Sequence, residues 1–277
     1  MGMIRFRILG AGGAIPTPTH TPAAYWVTVD GTSLLVDPGP GALVRLVHSG
    51  DAPDGVDEIQ WVLMTHLHPD HCSDLVALLF ALHSPLTKSH APLHLFGPQG
   101  LRTYLDHLTK LYGRWLQPRH RQLRVAEWAA PEQLDLPGGG IVRPFPVDHP
   151  QDRFSTAGCL GYRFIDSGGR TAVFSGDTGP CPGLAEAAAR ADLLVVECSA
   201  PDHLGVAGHM TPSDVGRLCA DALPSRVVLT HQYPAAAASN LPAAIAPHFA
   251  GPVIQAQDGS LFYVPVESGE ENPWLAP

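Results

Sequence analysis

Thr65-His66-Leu67-His68-Pro69-Asp70-His71 is the stretch on which the reading of this chain turns. Three imidazoles and a carboxylate stand directly behind the apolar run Ile-Gln-Trp-Val-Leu-Met at 59–64, which predicts a buried strand. On extended chain, His66 and His68 face the same side. Pro69 has no amide hydrogen and suits the first turn of a helix, so Asp70 and His71 arrive from another direction. Nitrogen and oxygen donors converging on so small a volume suit one or two first-row divalent metals. Neutral imidazoles and one carboxylate offset only part of a dication's charge, so a bound water would lose a proton near neutral pH.

One strand end cannot complete two coordination shells. Working outward, three further candidate ligands stand at or just past apolar runs: His149 after 142–147, Asp177 after 172–174 and His231 after 227–229. Each follows short turn-like residues from which a side chain can reach a shared cleft.

The surrounding pattern is strand-rich with interleaved helices. A strand at 3–9 runs into Gly10-Ala11-Gly12-Gly13, and a hairpin at 24–36 turns at Asp30-Gly31. A helix over 42–49 is stopped by Gly50. The spacing predicts helices at 73–83 and 100–112, with a strand at 93–96 between them. The second half repeats the plan, with strands at 123–128, 141–147, 159–166 and 170–175, a helix at 183–190 and a strand at 192–197. Thr211-Pro212-Ser213-Asp214 opens a helix, and a strand at 226–230, a helix at 242–249 and a closing hairpin at 252–265 around Asp258-Gly259 follow. Two successive sheets, each with helices on one side, make a layered α/β sandwich. The expected domain covers 1–267, and 268–277 reads as a loose tail.

Composition excludes several classes. With 277 residues, 45% of them hydrophobic, the chain is long enough to bury a substantial core and is not disordered. A net charge of −9 argues against coating nucleic acid by charge alone. The longest apolar stretches, such as 75–82, are too short for a membrane span, and the opening residues lack a secretion-signal plan. A cytoplasmic location is the expectation. Five scattered cysteines fit reduced thiols, with Cys72 buried and inert.

The ordered set formed by the Gly-rich turn at 10–13, Asp37, the HxHxDH run, His149, Asp177 and His231 resembles the metallo-β-lactamase superfamily over nearly the whole chain. The resemblance implies a four-layer αββα sandwich with a dinuclear centre. One metal would take His66, His68 and His149, and the other Asp70, His71 and His231. Asp177 would bridge both, with a hydroxide opposite, and Asp37 would orient a ligand histidine. Zinc is the first expectation and manganese the alternative. Asp177 in place of Cys disfavours the cysteine-containing β-lactamases, and His68 in place of Glu disfavours the di-iron flavoprotein branch.

Glu197, the segment Gly208-His209-Met210-Thr211-Pro212 and the opening Leu9-Gly10-Ala11-Gly12-Gly13-Ala14-Ile15-Pro16-Thr17 resemble the ribonuclease Z and cyclic-nucleotide phosphodiesterase branch. That implies His209 as phosphate contact or proton donor, Glu197 as its orienting partner, Asp70 as an aid to the attacking water, and a homodimer. Two features depart from ribonuclease Z. Only 27 residues separate His149 from Asp177, too few for the long tRNA-binding arm. The family's Arg after the Pro-Thr segment is absent, with His20 and Thr21 nearby. A small or single-stranded phosphodiester therefore fits better than a structured tRNA. The competing readings are a carboxyl or thiol ester hydrolase of lactonase or glyoxalase II type, a ribonuclease Z-type tRNA 3′ endonuclease, and a non-catalytic metal- or ligand-binding module.

Two weaker signals have plain structural readings. Arg102, Lys110, Arg114, Arg119, Arg121 and Arg124, with Tyr112 and Trp115, could form a rim for a polyanion. A solvated helix face with both aromatics in the core is the favoured expectation. The glycines at 10–13 could cradle phosphate, but no P-loop lysine follows and a plain turn is expected.

Overall fold

A computed structural model describes residues 2–128, 132–150 and 158–265. The expected loose tail at 268–277 lies outside them. The first sheet contains β1 (Ile4–Gly10), β2 (Ala24–Val29), β3 (Thr32–Val36), β4 (Trp61–Leu63), β5 (Leu93–Gly97) and β6 (Leu123–Glu127). The second contains β7 (Leu134–Asp135), β8 (Ile141–Val147), β9 (Cys159–Ile165), β10 (Thr171–Phe174), β11 (Leu193–Glu197), β12 (Val227–Thr230) and β13 (Val253–Gln255). The last strand, β14 (Leu261–Val264), returns to the first sheet, giving the order β14-β1-β2-β3-β4-β5-β6 against β13-β12-β11-β10-β9-β8-β7.

The alternation of side chains along the strands builds the layers. Ile4, Phe6 and Ile8 of β1, with Tyr25, Val27 and Val29 of β2, enter the core between the sheets, where they meet Tyr162, Phe164 and Phe174. Leu9, Trp26 and Leu35 face outward instead, against α1 (Ala42–Ser49), α3 (Asp74–Leu82) and α4 (Leu101–Tyr112). A third apolar layer lies between the second sheet and α5 (Pro182–Ala188), α6 (Pro212–Ala222) and α8 (Leu241–Ile245). Helix, sheet, sheet, helix is the four-layer order expected. No described helix is long and apolar enough to cross a membrane.

Two expectations are corrected. The closing hairpin does not form, because β13 pairs with β12 in the second sheet whereas β14 pairs with β1 in the first. The turn at Asp258-Gly259 is present, but it hands the chain from one sheet to the other, and Asp258 spends its carboxylate on the amides of Ala11 and Thr21. The helix expected over 242–249 ends at Ile245, since Pro247 has no amide hydrogen to donate to the ladder.

The parallel pairs β3–β4 and β10–β11–β12 bring several chain segments to one edge of the sandwich. Asp37 follows β3, Thr65 follows β4, Asp177 follows β10, Glu197 ends β11 and His231 follows β12. Residues just past the carboxyl ends of parallel strands gather in one crevice. Polar pins join the two sheets near it: Tyr162 Oη donates to Met64 O at 2.6 Å, Leu160 N–H donates to Thr65 O at 2.9 Å, and Tyr25 Oη meets Thr230 Oγ1 at 3.0 Å.

Tyr162→Phe leaves the buried Met64 carbonyl short of its partner. It is expected to cost about 1–3 kcal/mol of stability, measured as a lower urea midpoint at unchanged m.

Candidate metal centre

His66 and His68 project from the extended chain beyond β4, with ring centroids 4.5 Å apart. Pro69 then opens the short helix α2 (Pro69–Cys72), which carries Asp70 and His71 in from the side. The second sheet supplies His149 past β8, Asp177 past β10 and His231 past β12. The seven sequence-predicted donors meet in three overlapping groups: His66, His68 and His149; His66, His71 and Asp177; Asp70, His71 and His231. Within each group the donor atoms lie within 4.8 Å of one another.

Asp177 Oδ2 lies at the middle. His231 Nε2 is 3.1 Å from it, His71 Nε2 3.2 Å, His66 Nε2 3.8 Å and His149 Nε2 4.0 Å. Asp70 Oδ2 stands 3.5 Å from His231 Nε2 and 3.6 Å from His71 Nε2. The Nε2 atoms of His66, His71 and His231 are buried without a hydrogen-bond partner. Three orphaned ring nitrogens aimed at a buried carboxylate are what a bound cation would satisfy, so the donor set fits divalent metal.

The outer ring nitrogens are held from behind. Asp37 Oδ2 is 2.9 Å from His71 Nδ1, and Asp37 also takes hydrogen bonds from the Thr65 amide and hydroxyl, both at 2.7 Å. Thr65 Oγ1 meets His66 Nδ1 at 2.9 Å. The Gly208 carbonyl accepts from His149 Nδ1 at 2.8 Å, which turns Nε2 inward, where it lies 3.2 Å from His68 Nδ1. Such partners fix the tautomer and aim of a ligand histidine.

Beside the cluster, Glu197 is fully buried and accepts from the Thr178 and Met210 amides at 2.6 and 3.2 Å. His209 Nδ1 lies 3.0 Å from Glu197 Oε1, and the His209 ring stacks on that of His231 at 5.5 Å between centroids. The expected pairing of these two residues is therefore present as geometry.

Electrostatics separates the roles. Burial works against charge on Asp177, yet the neighbouring His231 and His71 hold its carboxyl well below the usual range. Burial, reinforced by His71, pushes His66 well down, and burial with His149 lowers His68; both shifts favour the neutral form, which is the form that binds metal. Burial opposes charge on His71 as well, but Asp177 and Asp37 outweigh it and raise this imidazole well above its ordinary value.

Sequence reasoning missed three residues at the site. Thr65 and Ser199 each set a hydroxyl between a buried carboxylate and a histidine. Tyr233 sets its ring edge-on to His231 and His209, at 5.7 and 6.2 Å. Ser199 lies two residues beyond Glu197 and Tyr233 two beyond His231, so alternation along extended chain was the available signal. Asp37 and His231 also occupy the left-handed region at φ 48° and 53°, a cost of about 1–3 kcal/mol each that packing around the site must offset. The Gly-rich turn backs directly onto the centre: a Cβ on Gly13 would stand 3.0 Å from both the His231 and Tyr233 rings.

The basic segment is corrected in part. Tyr112 and Trp115 are not in the core but 43% and 50% exposed, and they line an apolar groove of about 510 Å³ with Val76, Ala77, Phe80 and Leu116. Several of the arginines are tied to carbonyls rather than ranged as a rim: Arg121 is buried and donates to Ala91 O and Ile59 O, Arg119 donates to His83 O, and Arg102 to Val125 O. Cys72 is buried, its thiol pushed up to about 11 chiefly by desolvation, in keeping with an inert core residue.

Fold and donor cluster together define a metal-dependent hydrolase of the metallo-β-lactamase fold. Residues 32–232 match the beta-lactamase superfamily domain, and the chain belongs to that superfamily, in the branch that includes ribonuclease Z. It is 33% identical over 204 residues to a ribonuclease Z of Mycobacterium marinum, covering 70% of each chain. It is 29% identical over 263 residues to an uncharacterized protein of Mycobacterium leprae, covering 94% of this chain and 88% of that one. Among solved structures, the metallo-beta-lactamase fold protein YhfI of Bacillus subtilis superposes with a TM-score of 0.79 at 23% identity, over 95% of this chain and all (100%) of that one. The short form of human tRNase Z superposes at 0.71 and 23% identity, over 93% and 98%.

Zinc or manganese added to the metal-stripped chain is expected to raise its thermal midpoint by about 5–10 °C at a hundredfold excess over Kd, measured by differential scanning fluorimetry. In Asp177→Ala the rise should vanish.

Proposed function

We propose that the chain is a dinuclear metal-dependent phosphodiesterase that acts on small nucleotide-type or single-stranded phosphodiesters. The observation that carries this reading is the His209–Glu197 pair set against the donor cluster. Burial opposes charge on His209, but the hydrogen bond and charge of Glu197 prevail and raise its imidazole above the ordinary value. A raised histidine keeps its proton to higher pH than a free imidazole does. Such a group can contact a phosphoryl oxygen and protonate a leaving alkoxide.

His66, His68 and His149 would hold one cation, Asp70, His71 and His231 the other, and Asp177 would lie between them, with zinc ahead of manganese. Bound there, the pair supplies Lewis-acid neutralisation of phosphoryl oxygens and acidification of water. Glu197 fixes the direction of the His209 Nε2–H by holding Nδ1. Asp70, partly exposed at the edge of the cluster, orients the attacking water. Asp37 holds His71 and, through Thr65, His66.

A small substrate is supported by the segment between His149 and Asp177. Among its described residues it is taken up by β9 and β10, joined by a turn in which Asp166 accepts from the amides of Gly168 and Arg170. A tRNA 3′ endonuclease is the second reading, favoured by the name of the M. marinum relative. Lactone or thioester hydrolysis on the same cluster is the third, and it has no need of the His209–Glu197 pair.

Zinc- or manganese-loaded protein should hydrolyse bis-p-nitrophenyl phosphate in a chelator-sensitive way. His209→Ala should lose about 10²–10⁴-fold of that rate while hydrolysis of p-nitrophenyl acetate changes little. No turnover of the diester by loaded protein, or an equal loss on both substrates, would contradict the proposal.

A further inference from the structure

Ser199 is buried at 2% exposure, two residues past the end of β11. Its hydroxyl touches three groups: Glu197 Oε2 at 2.5 Å, His209 Nδ1 at 3.1 Å and His231 Nδ1 at 3.2 Å. An ionised carboxylate can only accept, so the Ser199 O–H donates to Glu197. The lone pairs of Oγ are then left to accept from a ring N–H. His209 Nδ1 has a better acceptor in Glu197 itself, at 3.0 Å. The His231 Nδ1–H is thus directed to Ser199. A proton on Nδ1 leaves the lone pair on Nε2, the buried and unpartnered atom that faces Asp177 and Asp70.

We infer that Ser199 is a positioning residue that relays the Glu197 carboxylate to His231 and so fixes the metal-facing lone pair of that histidine. The inference rests on the metal-centre reading above and adds a second duty for Glu197. One carboxylate holds the proton-bearing His209 directly and the donor His231 through a hydroxyl.

The first half of the chain contains the same device. Asp37 holds His71 directly and reaches His66 through Thr65, whose hydroxyl donates to Asp37 Oδ2 at 2.7 Å and meets His66 Nδ1 at 2.9 Å. In both halves a buried acid following or ending a strand serves two imidazoles, one directly and one through a hydroxyl. Each hydroxyl can donate to the carboxylate and accept from the ring at once, whereas a methyl group can do neither. Loss of Ser199 therefore releases His231 alone, and Glu197 keeps His209.

The test is zinc titration calorimetry on the metal-stripped full chain, comparing the wild type with Ser199→Ala, Ser199→Thr and Ser199→Val. The wild type should take up two zinc ions. The Ala and Val variants should bind one as before and the other about 10–100-fold more weakly, and Thr should restore both. Unchanged binding of both ions by Ser199→Ala would overturn the inference while leaving the metal centre standing. Equal impairment of Thr and Val would overturn it by assigning the effect to shape rather than to the hydroxyl. A wild type that binds no zinc would overturn the metal centre, and the inference with it.

Discussion

A carboxylate sealed from solvent and ringed by imidazole nitrogens 3–4 Å away is the interaction on which this structure depends. Burying an ion costs several kcal/mol unless its charge is matched, and among the described residues the ion-pair partners of Asp177 are histidines. Partial matching comes from His71, whose imidazole is driven toward its charged form between Asp177 and Asp37. His66 is driven the other way by the same burial. A dication held among these donors would match the charge on Asp177 and take the place of the proton on His71.

The fold follows from the need to hold that arrangement still. Most of the groups stand past the ends of parallel strands, and His149 past the antiparallel strand β8, so their placement is anchored by β ladders. The pins between Tyr162 and Met64, Leu160 and Thr65, and Tyr25 and Thr230 lie where the sheets carry the candidate ligands, so the two halves cannot slide without breaking buried hydrogen bonds. Strain at Asp37 and His231 is tolerated in the same region. Backbone conformations that cost energy survive where their surroundings over-determine them.

Much of this was legible in the amino-acid order, because much of it is local. Gly50 stops α1 in a left-handed conformation, and Thr211 and Asp214 form a full capping box, both as their residue types require. The run at 66–71 carries its ligand chemistry in its own spacing. What was not legible depends on partners far away in sequence. Asp258-Gly259 turns the chain in the same way whether the next strand pairs locally or, as here, with β1 across the molecule. Tyr112 ends α4 and Trp115 lies in the turn just beyond it, and both were expected in the core, yet the packing of the rest of the chain leaves them open to solvent. Ser199 and Thr65 are ordinary hydroxyl residues until the fold puts a histidine on one side and an acid on the other.

The most direct measurement is an anomalous difference map, at the zinc edge, from crystals of the zinc-loaded chain. Two peaks per chain are predicted, one among His66, His68 and His149 and one among Asp70, His71 and His231, with Asp177 between them. An absence of peaks in that cleft, or density bound only to other residues, would contradict the account.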